Sequence, residues 1–146
     1  MHYHRRGQVA EFPVSSGRNP PSHVEGSGGT PTGLHRVAEK YGAGAPPGTV
    51  FVGRRSQGHT FRERPDAGSG QKSLVTTRIL RLAGLQPGTN AGPGVDSFAR
   101  YIYIHGTNRP DAWTANVSAG CLLLRDPDVI RLHDTIPLGS LVWIEV

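Results

Sequence analysis

The chain has 146 residues, room for one domain with one core, and its 36% hydrophobic content with 20 Gly and 12 Pro argues against a helical bundle. That balance suits short strands joined by many turns. Net charge is +5 with a sequence pI near 10, but no basic run exceeds Arg5-Arg6 or Arg54-Arg55 and no aromatic ladder accompanies them, which argues against a nucleic-acid module.

Residues 8–14 read as a first strand with Val9, Phe12 and Val14 as its apolar positions, ended early or held at an edge by Pro13. A Ser/Gly/Asn/Pro-rich loop follows over 15–29. The turn Thr30-Pro31-Thr32-Gly33 leads into Leu34–Tyr41, read as a strand in preference to a short helix. After a Gly/Pro hinge at 42–48, Thr49–Val52 is a short strand ended by Gly53. The polar, aperiodic stretch Arg54–Lys72 is expected to be a long loop. Residues 74–82 are β-branched and read as a strand, with a loop over Gly84–Gly94.

Residues 99–105 give the clearest strand pattern. Tyr101, Tyr103 and His105 fall on one face and Ile102 and Ile104 on the other, because side chains alternate along a strand. A helix is expected from Asp126, with Asp as N-cap and Pro127 in the first helical position, carried by Val129, Ile130 and Leu132. Pro137-Leu138-Gly139 then turns the chain into a last strand, Leu141–Val146. The expectation is a mostly β single domain over 1–146, its core over about 8–146.

The chemistry-bearing residues concentrate between Tyr101 and Arg125. The segment holds the only cysteine, Cys121, so no intrachain disulfide exists, and it holds His105 at a strand end. A thiol is useful as thiolate, and an adjacent imidazole can take its proton. Gly120 lets the backbone approach a substrate closely, and N–H groups around 119–121 are candidates for binding an oxyanion. By residue chemistry alone, a buried structural thiol and a nucleophile both remain open.

His105-Gly106-Thr107, then Ser118-Ala119-Gly120-Cys121, the Asp126–Asp134 helix and Pro137-Leu138-Gly139 resemble the signature of the L,D-transpeptidase catalytic (YkuD-type) domain. Upstream, Pro13-Val14-Ser15-Ser16-Gly17 and Thr30-Pro31-Thr32-Gly33 are similar to that family's early motifs. The resemblance implies an antiparallel β-sandwich, Cys121 as nucleophile and His105 as base. Ser118, Ala119, Gly120 and Gly106 would then shape the oxyanion and substrate site, and Tyr103 would line the cleft. The implied reaction is acyl transfer on peptidoglycan stem peptides, giving a 3–3 cross-link, with no cofactor and no metal. L,D-carboxypeptidase action and non-catalytic peptidoglycan binding are the alternatives, and carbapenem-type inhibitors are expected to react. The sequence departs from the family pattern at Ala119, where His is usual, and at Leu123, where Arg is usual; Arg125 would have to reach back to replace it.

The family's substrate implies a periplasmic or wall location. The basic but not apolar N-terminus is not expected to act as a secretory signal, and no run is long enough to span a bilayer. His2 and His4 read as surface rather than a metal pair, Asp126 and Asp128 as helix-start carboxylates, and Trp113 and Trp143 as core or cleft packing. The Gly-rich stretch 26–33 lacks the Lys and the strand–helix order of a phosphate loop, which excludes nucleotide binding.

Overall fold

The structure is a computed structural model that describes residues 1–5, 8–64 and 73–145. Its elements, in chain order, are β1 (His2–Arg5), β2 (Gln8–Glu11), β3 (Gly33–Tyr41), β4 (Thr49–Val52), β5 (Arg55–Thr60), β6 (Val75–Gly84), β7 (Tyr103–Gly106), a 3-10 turn (Pro110–Trp113), β8 (Leu122–Leu124), α1 (Asp126–Thr135) and β9 (Leu141–Ile144). β1 and β2 form a two-stranded sheet; the others form a seven-stranded sheet. The fold is mostly antiparallel β, with one parallel pair, β7 on β8.

β6 is the hub. One of its edges takes β4 at Val75 and Thr76 and β3 along Ile79–Gly84, while the other takes β7. The two faces separate by the period of the strand. Leu80, Leu82, Ile102, Ile104, Leu122 and Leu124 pack with Val37, Ile144, Phe12 and the α1 residues Val129 and Leu132. Each such fully buried side chain contributes roughly 1.5–3 kcal/mol. The odd-numbered neighbours Ile79, Tyr103 and Cys121 turn to the opposite face and pack with Phe51. The helix therefore backs the sheet and leaves the thiol on the other side.

Several expectations need correction. The stretch 54–72 is not loop throughout, because β5 pairs with β4 as a hairpin. Its side chains are polar because it is an edge strand with no neighbour beyond it among the described residues, and most of it is exposed. The remainder of that stretch, 65–72, lies outside the described residues. In the first strand only Phe12 joins the core; Val9 and Val14 are exposed, since pairing ends at Glu11. Loop 15–29 is pinned by bridges from Ser15 to Leu123, Gly17 to Ser118 and Asn19 to Gly29. Strand β7 begins at Tyr103 rather than Ala99, because Tyr101 has φ +57 and breaks the extended run.

The helix forms where expected, but Arg125 is its N-cap and Asp126 its first residue. The Asp126 carboxylate instead accepts from the Thr77 hydroxyl and from Arg62. Trp143 is exposed and donates its ring N–H to Glu145. Trp113 lines a cavity of about 370 Å³ with Pro13, Ser15, Asn116 and Arg125. His2 is exposed beside Glu11, and the His4 side chain lies outside the described residues.

Candidate active site

β7 and β8 run in the same direction, with His105 opposite Leu123 and Ile104 opposite Leu122. Carried back by one pleat, that register sets Cys121 beside Tyr103 on the face that also carries His105. The sulfur accepts the Tyr103 backbone N–H at 3.3 Å and lies 3.5 Å from the Tyr101 carbonyl oxygen, to which the thiol donates. Among the described residues there is no hydrogen bond from the thiol to the imidazole. In this resting arrangement the thiol donates to a backbone carbonyl and not to the base.

His105 is buried, its ring edge-on to Tyr103 with centroids 6.4 Å apart. Nδ1 lies 2.6 Å from the Gly106 carbonyl oxygen, which can only accept, so Nδ1 carries the proton and donates it. That leaves Nε2 as the basic nitrogen, the tautomer a proton acceptor needs. The neighbouring glycine has a packing reason. β6 bulges between Thr76 and Ile79, where Thr77 takes φ +68, and a Cβ on Gly106 would come within 2.9 Å of the Thr76 carbonyl oxygen, the Thr76 hydroxyl and the Thr77 Cβ. Thr77 is held there from two sides, by the Gly48 N–H donating to its hydroxyl and by Asp126 accepting from it. The bulge thus ties the histidine strand to the start of α1.

The Ser118–Cys121 turn is equally constrained. The Ser118 hydroxyl donates to the Cys121 carbonyl at 2.6 Å and accepts the Gly120 N–H at 3.1 Å. Both groups are committed to the turn, so Ser118 braces the loop and the Gly120 N–H is not a spare donor. Gly120 has φ +122, and a Cβ there would lie 2.9 Å from the Gly29 carbonyl oxygen. Only glycine suits that combination. The backbone N–H of Cys121 has no partner among the described residues, and the Ala119 side chain is exposed. The expectation of several converging amides at 119–121 is therefore narrowed by the bond that Gly120 makes.

Burial governs the electrostatics. It pushes the Cys121 thiol up to about 11, against smaller lowering influences from the Tyr103 N–H and the Arg100 guanidinium. It pushes His105 down to about 4, partly offset by the Gly106 carbonyl. The resting pair is neutral thiol and neutral imidazole, and proton transfer belongs to the attack itself. Arg100 reaches this neighbourhood because its guanidinium binds the carbonyls of Ser22, His23 and Gly29, the last of which adjoins Gly120.

Leu123 is fully buried opposite His105 and Ser15. Arg125 does not compensate: its guanidinium lies over the Trp113 ring, 5.2 Å from the centroid. Two other cations reach the residues around the thiol. Arg100 braces the loop against Gly120, and Arg54, at the tip of the β4–β5 hairpin, donates to the Tyr103 hydroxyl at 3.2 Å. Arg100 opens the segment Arg100–Thr107 that leads into His105-Gly106 and is similar to the family's strand there, whereas Arg54 has no local sequence pattern and is brought in by topology. Among the described residues no group of His, Cys, Asp and Glu is arranged to hold a metal ion.

The sequence pattern of the L,D-transpeptidase catalytic domain (YkuD) matches residues 1–144. A "Putative L,D-transpeptidase YqjB" from Bacillus subtilis (strain 168) is 42% identical over 45 residues, 31% of this chain and 26% of that protein. Among solved structures, an L,D-transpeptidase from Mycobacterium smegmatis aligns over 96% of this chain and 51% of its own, with a TM-score of 0.46 and 19% identity. The chain matches only part of the length of either relative, about a quarter of the first and about half of the second.

Proposed function

Because this chain belongs to the L,D-transpeptidase catalytic domain family, we propose that it is a cysteine acyltransferase acting on peptidoglycan stem peptides. The observation that carries the reading is the parallel β7–β8 register, which sets Cys121 and His105 on one face with Nε2 as the imidazole's free base. In the first half-reaction the Cys121 sulfur attacks the carbonyl of the third residue of a tetrapeptide stem while Nε2 takes the thiol proton. The S–C bond forms, the C–N bond to the terminal D-Ala breaks, and the imidazolium returns its proton to the departing amine. In the second, an amine of another stem attacks the thioester, gives its proton to His105, and releases the thiol with that proton restored. A 3–3 cross-link results. The Cys121 N–H, which has no partner among the described residues, would donate to the tetrahedral oxyanion.

Such a substrate lies outside the cytoplasmic membrane, so the proposed site of action is the periplasm or wall. The test is incubation with disaccharide-tetrapeptides, with products read by mass spectrometry, together with intact-mass analysis after exposure to a carbapenem. Expected results are a dimer lacking one D-Ala, a covalent adduct on Cys121, and loss of both in Cys121→Ala. Tripeptide without dimer would point to carboxypeptidase action. Neither product nor adduct would overturn the catalytic reading in favour of a wall-binding domain.

A further inference from the structure

The turn joining β4 to β5 consists of Gly53 and Arg54, since Val52 pairs with Arg55 across it. Both turn residues have positive φ, +54 and +69, the geometry of a type I′ hairpin turn. Its second position favours glycine, and an arginine there is in a sparsely populated conformation. Strain of this kind persists where the surroundings hold it and is concentrated at ligand clamps.

Here the surroundings are the residues that hold the thiol. The Arg54 guanidinium donates to the Tyr103 hydroxyl at 3.2 Å and lies 5.4 Å from the centroid of the Tyr101 ring. The backbone groups of those two tyrosines are the ones bonded to the Cys121 sulfur. Arg54 also adjoins the Tyr41 hydroxyl, which itself donates to Glu39 at 2.8 Å. Glu39 is already paired with Arg81 at 3.0 Å. Arg81 thus has Glu39 beside it and Asp96 at longer range, whereas Arg54 interacts with Glu39 only at longer range and has no carboxylate at ion-pair distance among the described residues. A guanidinium has five N–H donors in a fork that matches a carboxylate. Among the described residues its hydrogen bond goes to the Tyr103 hydroxyl, with the Tyr41 hydroxyl close by.

We propose that Arg54 is a positioning residue that binds the free C-terminal carboxylate of the acyl donor, holding the adjacent carbonyl over Cys121. The assignment rests on the acyl-transfer reading for the identity of the donor, and on the hairpin geometry alone for the recognition of a carboxylate. It gives the buried Leu123 a counterpart: the cation arrives from the hairpin instead of from the Cys121 strand.

Two measurements separate this proposal from the acyl-transfer reading. In the first, Cys121 is alkylated with iodoacetate and with iodoacetamide, which share the reacting carbon and differ in the carboxylate. The ratio of the two rates cancels any general change in thiol reactivity. Arg54→Gly, which suits the turn, and Arg54→Gln should each lower the iodoacetate-to-iodoacetamide ratio about tenfold, the change expected when a guanidinium that contacts the reagent's carboxylate is removed. Arg54→Lys should recover part of the ratio, and Arg55→Gln should leave it unchanged. In the second, the tetrapeptide is compared with its C-terminal amide, and Arg54→Gly should erase the preference in kcat/KM for the free acid. An unchanged alkylation ratio in Arg54→Gly overturns the proposal, whether or not the protein turns over peptides. A lowered ratio in a protein that turns over no peptide supports carboxylate binding by Arg54 and removes the acyl-transfer reading.

Discussion

Burial of His105 makes it a source of acid sensitivity whose size can be worked out. The imidazole titrates near 6.5 when solvated and near 4 in the fold. Between those pH values the unfolded chain binds a proton at this site that the folded chain refuses. Stability therefore falls as pH drops from 6.5 towards 4, and the loss is complete below 4. At about 1.4 kcal/mol per pH unit, a gap of roughly 2.5 units amounts to about 3 kcal/mol. Urea unfolding of the wild type and of His105→Gln at pH 7, 6, 5 and 4.5 isolates the effect. His35 and His133, also lowered by burial, are present in both proteins and cancel in the difference. The wild type should lose stability relative to the variant as pH falls, by about 1 kcal/mol per unit below pH 6. Parallel pH dependences of the two proteins would refute the reasoning, and would mean that the ring keeps an ordinary pKa through water reaching Nε2.

Two substitutions probe the packing around the pair. Gly106→Ala sets a methyl group within 2.9 Å of Thr76 and Thr77, so it should cost about 1–3 kcal/mol in chemical unfolding, as overpacking generally does; an unchanged midpoint would show that the β6 bulge yields freely. Ser15→Ala should be neutral or stabilising by up to about 1 kcal/mol, since the Ser15 hydroxyl is buried opposite Leu123 with no partner among the described residues. A clear loss of stability in Ser15→Ala would reveal a hydrogen bond, through water or otherwise, that the hydroxyl does make.

The parts of the site legible in the sequence were those whose reasons are local. His105 at the end of a strand, glycine on either side of the chemistry at 106 and 120, and Pro127 early in α1 are all read from short windows, and the period of two that separates Tyr103 from Ile104 survives into the two faces of the sheet. What escaped depends on partners far along the chain. Asp126 looks like an ordinary N-cap until Thr77, from a strained bulge, is seen to claim its carboxylate. β5 reads as loop because an exposed edge strand has no apolar face to show. Trp143, expected inside by size, sits on edge strand β9 and faces out. Arg54 could be flagged only as a Gly-Arg step in a polar stretch, and its meaning appears once the hairpin folds over Tyr103.

The parallel pairing of β7 with β8 has a consequence for how such a site can diversify. In a hairpin the length of the turn dictates which residues face each other, so an insertion slips the register. Here the connection leaves the far end of one strand and returns to the near end of the other, with 107–117 running ahead of the fixed Ser118–Cys121 turn. The facing of residues 105 and 123 is fixed by the ladder and by the bulge beneath it, and the path taken in between is unconstrained by it. Segments of different length and chemistry can be exchanged over 107–117, altering what is admitted beside the sulfur, while the reactive atoms keep their places.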